Sequence, residues 1–167
     1  MRNRFGISSF PAVYLSRSFL WDHSGASIST EINKKSKCGI AILTSVNGNT
    51  VNVTVKISFD ISTGIPLNLV VALMEDKLVS PQANQYNNNP GSPFYNTGNP
   101  IQNYEHNNVL RKAATDIFGD HIPAGEQWKN NVYEKSYTID AGPYTLNNCK
   151  IAAFVLFREI HNQDSGY

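Results

Sequence analysis

The strict alternation of apolar and polar residues from Thr50 to Ile61 constrains the fold of this chain more than any other feature. Side chains at every second position of an extended strand point to the same face, so the apolar residues of this segment share one face and the polar residues share the other. The apolar set is Val51, Val53, Val55, Ile57, Phe59 and Ile61. The segment therefore predicts a strand with one buried and one exposed face.

Further apolar segments and turn signals flank this strand. Residues 39–46 are apolar enough for a buried strand, and the Asn47-Gly48 pair after them is a strong hairpin-turn signal. Residues 108–118 favour a strand, although 109–114 also suit a helix. Residues 149–160 are apolar on both faces, which is typical of a central strand. The other predicted strands are 67–79, with Leu67, Leu69, Val71 and Leu73 on one face, and 132–139.

About seven strands between residues 38 and 160 predict a mainly-β fold, an antiparallel immunoglobulin-like β-sandwich. The first part of the chain differs. Residues 12–15 predict a short strand, and 26–35 predict a short helix that Ser24 or Ser27 could cap. We therefore divide the chain into a strand-and-helix segment over 1–36, a sandwich domain over 37–162 and a tail over 163–167.

Composition excludes several classes of function. The chain has 167 residues, of which 16% are charged, and its formal net charge is +1. Basic residues are few and dispersed, so no nucleic-acid partner is expected. No apolar run approaches the ~18 residues of a transmembrane helix. Residues 5–15 do not fit a signal peptide, because glycine, serine and proline interrupt their apolar run.

Residues 80–108 differ in kind from the rest of the chain. They hold four of the eight prolines, nine of the 20 asparagines and one charged residue, Glu105. Long loops of this kind tend to be functional or disordered. Aromatic rings stack on sugars and amides bond sugar hydroxyls, so the loop is a candidate glycan surface; a plain surface loop is the alternative. The candidate binding residues are Tyr86, Tyr95, Tyr104, His106 and Arg111, with Phe94, Trp21 and Trp128 as possible contributors.

Three strings in the sandwich segment resemble one protein family. Residues 71–79 (Val-Ala-Leu-Met-Glu-Asp-Lys-Leu-Val), 104–111 (Tyr-Glu-His-Asn-Asn-Val-Leu-Arg) and 148–155 (Asn-Cys-Lys-Ile-Ala-Ala-Phe-Val) resemble the twenty-eight-kilodalton outer-membrane lipoprotein family of Bacteroidetes, in the same order and spacing. The resemblance implies a cell-envelope location, in the outer membrane or periplasm. It also implies membrane association through a lipid anchor, which we expect to lie outside this chain.

Residues 5–15 are similar to the segment around the cis-proline of a thioredoxin fold, which family members carry before the sandwich. The resemblance therefore implies that 1–36 is a remnant of a thioredoxin-like domain and that Pro11 is a cis-proline candidate. No Cys-x-x-Cys pair is present, so thiol–disulfide exchange is not expected.

Other chemistry is weakly indicated. Cys38 and Cys149 each begin a predicted terminal strand, so they could form a disulfide or remain buried thiols. His106 could be a ligand or base, or could hold the loop by hydrogen bonds. Arg111 could pair with Glu105 or Asp116. The acidic residues Glu75, Asp76, Asp116 and Asp120 could bind calcium only if loops bring them together.

No catalytic motif is present: the sequence lacks a nucleophile elbow, a phosphate-binding glycine loop and a spaced histidine or cysteine metal set. We therefore expect no cofactor and no metal. The leading hypothesis is a non-catalytic cell-envelope domain for interaction or scaffolding, with an unidentified protein or glycan partner at the cell surface. A carbohydrate-binding module that uses residues 80–108 is the alternative, and an enzyme is the third hypothesis.

Overall fold

The computed structural model describes residues 12–17, 19–22 and 24–157. It divides between Lys37 and Cys38 into two compact units. In the first unit, β1 (Tyr14–Leu15) pairs antiparallel with β2 (Phe19–Leu20), and α1 spans Gly25–Ile32. The Ser24 side chain caps α1, because its Oγ accepts a hydrogen bond from the Ser27 amide at 3.2 Å. The predicted helix and its Ser24 cap are confirmed, although the helix ends three residues early.

The described part of the second unit, residues 38–157, contains nine strands. The strands are β3 (Cys38–Asn47), β4 (Thr50–Phe59), β5 (Leu67–Glu75), β6 (Leu78–Gln82), β7 (Ile101–His106), β8 (Val109–Ala113), β9 (Asp120–Ile122), β10 (Val132–Asp140) and β11 (Cys149–Phe157). Two short 3-10 turns, Ala124–Glu126 and Leu146–Asn148, precede β10 and β11.

Seven of these strands form two antiparallel sheets. Sheet I has the order β10-β4-β3, and sheet II has β5 between β11 on one side and both β8 and β9 on the other. The remaining strands, β6 and β7, pair only with each other. The prediction of a mainly-β, antiparallel sandwich of about seven strands is confirmed.

The core lies between β4 and β5, as the alternating pattern predicts. The side chains of Val51, Val53, Val55, Ile57 and Phe59 from β4 are buried, and they form one cluster with Leu67, Leu69, Val71 and Leu73 from β5 and with Ile122, Ile139 and Ala141. β5 is buried on both faces from Leu67 to Leu73, because it is the central strand of sheet II. Ile61 lies beyond the end of β4 and is exposed.

Several details of the strand predictions change. The single strand predicted over 67–79 is two strands, β5 and β6, and the loop predicted over 80–108 includes part of β6 and all of β7. β11 was predicted as a central strand, but it lies at an edge of sheet II and pairs with β5 alone among the described strands. Residues 109–113 form a strand, so the helical alternative is wrong. The hairpin after β3 has Gly48 and Asn49 at its tip rather than Asn47 and Gly48; Gly48 has φ +57°, the conformation that a type II′ turn requires at its first central position.

Candidate functional site

The β6–β7 hairpin and its connecting loop, residues 78–106, form a separate element that we call the arm. Its base is fixed by polar contacts at the ends of β5 and β8. The Lys77 amide donates to Asn107 Oδ1 at 2.9 Å, and the Asn108 amide donates to Asp76 Oδ1 at 2.6 Å. Lys150 Nζ binds the same Asp76 carboxylate at 2.6 Å, and these donors hold the pKa of Asp76 below its usual range.

The loop of the arm is organised around one buried amide, the side chain of Asn84. Asn84 is 4% exposed. Its Nδ2 donates to Phe94 O and Gly98 O at 2.9 Å each and to Thr97 Oγ1 at 3.1 Å, and its Oδ1 accepts from the Tyr86 amide at 3.0 Å. One side chain therefore joins the beginning and the end of the loop.

Other asparagines close turns in the same loop. Asn87 Oδ1 accepts from the Gly98 amide at 2.8 Å, Asn89 Oδ1 from the Gly91 amide at 3.0 Å, and Asn99 Oδ1 from the Asn84 amide at 3.0 Å. Short amide side chains suit this role because they bond nearby backbone groups. The high asparagine content of residues 80–108 thus has a structural cause, and part of it is unavailable for ligand binding.

Several aromatic side chains lie on the arm. The Tyr104 ring packs edge-on against the His106 ring at 4.9 Å between centroids and lies 6.1 Å from the Phe94 ring. Tyr86 and Tyr95, in the loop, are 58% and 50% exposed. His106 Nε2 lies 3.3 Å from Ser80 O, across the hairpin. The structure thus brings four of the five predicted binding residues, Tyr86, Tyr95, Tyr104 and His106, onto one element.

Arg111, the fifth predicted binding residue, faces a different environment. The register between β5 and β8 shifts at Leu73/Met74, and Arg111 is the extra residue of this bulge. Its Nε lies 3.0 Å from Glu75 Oε2, although the two atoms are not aligned as a hydrogen bond. Its guanidinium covers the Tyr144 ring at 4.3 Å. The expected pairing of Arg111 with Glu105 or Asp116 is therefore wrong.

Glu75 is the buried member of this pair, with 3% of its surface exposed. Its Oε1 accepts a hydrogen bond from the Thr145 amide at 3.0 Å. The carboxylate thus connects β5, the bulge of β8 and the segment between β10 and β11. Burial of the Glu75 carboxylate costs less because a cation and a backbone donor lie next to it. Arg111 supplies that cation, so we assign it a structural role and not a binding role.

A different ion pair, Lys135 with Asp120, links sheet I to sheet II on the side where β10 and β8 lie. Lys135 Nζ of β10 lies 2.7 Å from Asp120 Oδ2 of β9, and Tyr137 Oη donates to the same oxygen at 3.2 Å. Burial acts to raise the pKa of Asp120, but the Lys135 ammonium and the Asp116 amide together hold it below its usual value. Burial and the Asp120 charge raise the pKa of Tyr137.

The acidic residues considered for calcium are separated by these pairings. Glu75 faces Arg111, Asp76 faces Lys150 and Asp120 faces Lys135. Within residues 12–17, 19–22 and 24–157, no three histidine, cysteine or acidic side chains come close enough to hold a metal ion. The same part of the chain contains no helix with the length and apolar character to cross a bilayer.

The structure corrects the disulfide hypothesis for Cys38 and Cys149. Neither cysteine forms a disulfide. Cys38 lies opposite Phe59 at one end of β3, whereas Cys149 lines a cleft together with Thr44 and Val46 near the other end of β3. Most of a ten-residue strand separates them, and at about 3.3 Å per residue this distance far exceeds the reach of a disulfide.

Both cysteines should therefore be reduced thiols with low reactivity at neutral pH. Burial raises the pKa of Cys38 and, together with the Glu75 charge, that of Cys149. Because the thiolate is the nucleophile, alkylation of the folded protein at neutral pH should be slower than that of free cysteine and should accelerate as the pH rises past 9. Denatured protein should give two alkylated cysteines by mass spectrometry without any reductant. Recovery of fewer than two would contradict the assignment.

Pro11, the cis-proline candidate, lies outside the described residues. Among the residues that are described, the Asn99–Pro100 bond in the arm is cis.

The fold and the arm together define a class: an antiparallel β-sandwich protein with a projecting, aromatic-bearing hairpin. The family model for outer membrane protein Omp28 matches residues 1–163. The chain belongs to this family and is a cell-envelope protein. Comparisons with curated proteins and with solved structures gave no match. The resemblance to an outer-membrane family is confirmed; the lipoprotein anchor, the Bacteroidetes origin and the thioredoxin-like remnant stay predictions.

Proposed function

We propose that this chain is a non-catalytic recognition domain of the cell envelope and that the arm is its recognition surface. Its partner would be a protein or glycan at the cell surface, and a lipid anchor would attach the protein to the outer membrane. The observation that carries the proposal is the combination of a hydrogen-bonded loop core with outward aromatic rings. Asn84 is buried at the centre of the loop, while Tyr86 and Tyr95 expose half or more of their surface.

This combination supports recognition for an energetic reason. A loop whose backbone is already ordered loses little conformational entropy when it binds. Tyrosine supplies large contact area with only two side-chain torsions and a polar hydroxyl, so it is common in binding surfaces. Most charged groups near the base of the arm are already engaged in ion pairs, so the proposed contact is aromatic and amide in character.

Site-specific photocrosslinking in the envelope of the source organism tests this proposal. A photoreactive phenylalanine analogue replaces Tyr95 in one variant and Tyr86 in a second. The control position is Trp128, a predicted contributor that the structure instead places between the Ala124–Glu126 turn and β10, outside the arm, where it is 60% exposed. We expect the two arm positions to give the same discrete crosslinked product and the control to give none. Absence of a product at both arm positions, or an identical product from position 128, would contradict the proposal.

A glycan is the second candidate partner, because aromatic rings and free amides are both present on the arm. Binding to an array of surface oligosaccharides should then fall about tenfold or more in Tyr95→Ala and in Tyr104→Ala, since each removes a stacking face. Trp128→Ala should leave binding unchanged. Circular dichroism would show that the variants fold. No binding by the intact protein, or equal binding by all variants, would exclude the glycan hypothesis and leave a protein partner.

A further inference from the structure

Within residues 38–157, the two sheets leave one side of the sandwich open. On the β8–β10 side the two sheets are tied by Lys135 with Asp120 and by Lys112 Nζ, which donates to Asp140 O at 3.0 Å. On the other side lie the edge strands β3 of sheet I and β11 of sheet II. A cleft of about 120 Å³ lies between them, lined by Thr44 and Val46 of β3 and by Ile151 of β11, among others.

β3 presents apolar side chains that the sandwich does not cover. Its pairing with β4 places Ile40, Ile42 and Val46 on the core face, opposite Ile57, Val55 and Val51. Their β4 partners are at most 5% exposed, but the three β3 side chains are 37%, 39% and 59% exposed. Leu43, on the opposite face, is also exposed. β3 therefore extends past the edge of sheet II.

The outer backbone edge of β3 is also unprotected. Among the described strands, only β4 pairs with β3, over ten residues and without a bulge. Proteins normally protect such edges with charged side chains, proline or bulges, because an exposed ladder of amide and carbonyl groups recruits further strands. The segment Cys38–Asn47 contains no charged residue and no proline.

We propose that β3 is a homodimer interface, at which a second copy of this chain pairs antiparallel with it. A second copy is the occupant because the strand is self-complementary: a two-fold arrangement sets the exposed side chains of Ile40, Ile42 and Val46 against the same apolar face of the other copy. Since β3 carries no charge, this pairing opposes no like charges, whatever the register. A two-fold axis perpendicular to sheet I keeps both core faces on the same side. The two three-stranded sheets then become one continuous sheet, and the two open sides close against each other.

Side-chain alternation restricts the register of this pairing. Directly opposed residues of an antiparallel pair point to the same face, and a shift of one residue would turn core-face residues outward. Of the registers that meet this condition, two overlap the most residues of Cys38–Asn47. In one, Ile42 lies opposite its own copy and Ile40 opposite Thr44; in the other, Leu43 lies opposite its own copy and Ile42 opposite Thr44. In both registers the apolar core-face side chains of the two copies meet.

Sedimentation equilibrium of the full chain tests the interface. We expect a concentration-dependent dimer of about twice 18.5 kDa. Ile42→Lys and Ile42→Glu should each raise the dissociation constant about tenfold or more, because each places like charges near the symmetry axis. Mixing the two variants should restore the dimer, since unlike charges then meet. Val132→Lys, an equivalent change at an exposed position on the other edge of sheet I, should leave the dimer intact.

Hydrogen exchange on the unmodified protein gives a second readout that does not depend on any variant folding. Amides of residues 39–46 that point away from β4 should gain protection as the protein concentration rises. A protein that remains monomeric, with no concentration-dependent protection in β3, would overturn the proposal. A dimer that survives Ile42→Lys with β3 unprotected would overturn it as well, because the interface would then lie elsewhere. Both results are independent of whether the arm binds a partner.

Discussion

Replacement of Glu75 by alanine is expected to lower the free energy of unfolding by about 2–3 kcal/mol, less than the roughly 3–5 kcal/mol lost from a fully buried pair, because the Arg111 side chain that remains is 31% exposed. Glu75 is 3% exposed and accepts a backbone hydrogen bond from Thr145 besides its ion pair with Arg111. The alanine variant leaves the Arg111 charge with the Tyr144 ring but without its anion. It also leaves the Thr145 amide without its acceptor.

Urea unfolding followed by circular dichroism measures this effect, and two variants make it specific. Glu134→Ala removes an exposed carboxylate that pairs with Lys56 at 2.9 Å, and it should cost no more than about 1 kcal/mol. The double variant Glu75→Ala/Arg111→Met should recover part of the loss, because no unpaired charge remains. A loss below about 1 kcal/mol for Glu75→Ala would show that the pair does not stabilise the sandwich.

Replacement of Asn84 by alanine should release the loop of the arm while leaving the sandwich folded. The variant loses three side-chain hydrogen bonds from Nδ2 and one to Oδ1. Because the side-chain amide has two N–H groups, these contacts amount to about three full hydrogen bonds. At about 1 kcal/mol each they contribute about 3 kcal/mol to loop closure, which corresponds to a roughly hundredfold fall in hydrogen-exchange protection. The fall should be confined to backbone amides of residues 84–98.

The matched control for this change is Asn89→Ala, which removes an asparagine from the same loop. Asn89 Oδ1 accepts a single hydrogen bond, from the Gly91 amide, and the residue is exposed. Exchange should then increase only near residue 91. Similar exchange profiles for the two variants would show that Asn84 does not organise the loop.

The sandwich could be predicted from sequence because the pattern that determines which side chains are buried lies within each strand. The alternation in β4 assigns the buried face residue by residue, and the same period in β5 supplies the opposing layer. The apolar residues of β11 occupy both faces, and this pattern predicts a central strand. The structure places β11 at an edge of sheet II, so the pattern alone does not distinguish a central strand from an apolar edge strand.

The candidate site was less accessible to sequence reasoning. The aromatic content of residues 80–108 indicated the arm, but the role of Asn84 depends on bonds to residues 10 to 15 positions away, which no local pattern encodes. The direction of Arg111 depends on a bulge in β8, and the sequence carries no proline or glycine there to signal it. The position of Glu75 as an acidic residue at the end of a largely apolar strand could have indicated a buried carboxylate that needs a partner.

The bonding partners of Asn84 have a consequence for how this protein can change over time. Apart from the contacts of Asp76 and Asn107 at the base of the arm, the side-chain hydrogen bonds of the loop stay within the loop, and none reaches the core between β4 and β5. Insertions or replacements between Gln82 and Ile101 would therefore alter what is presented without altering the packed interior. We therefore expect sequence changes in the loop of the arm to leave the folding of the sandwich unaffected.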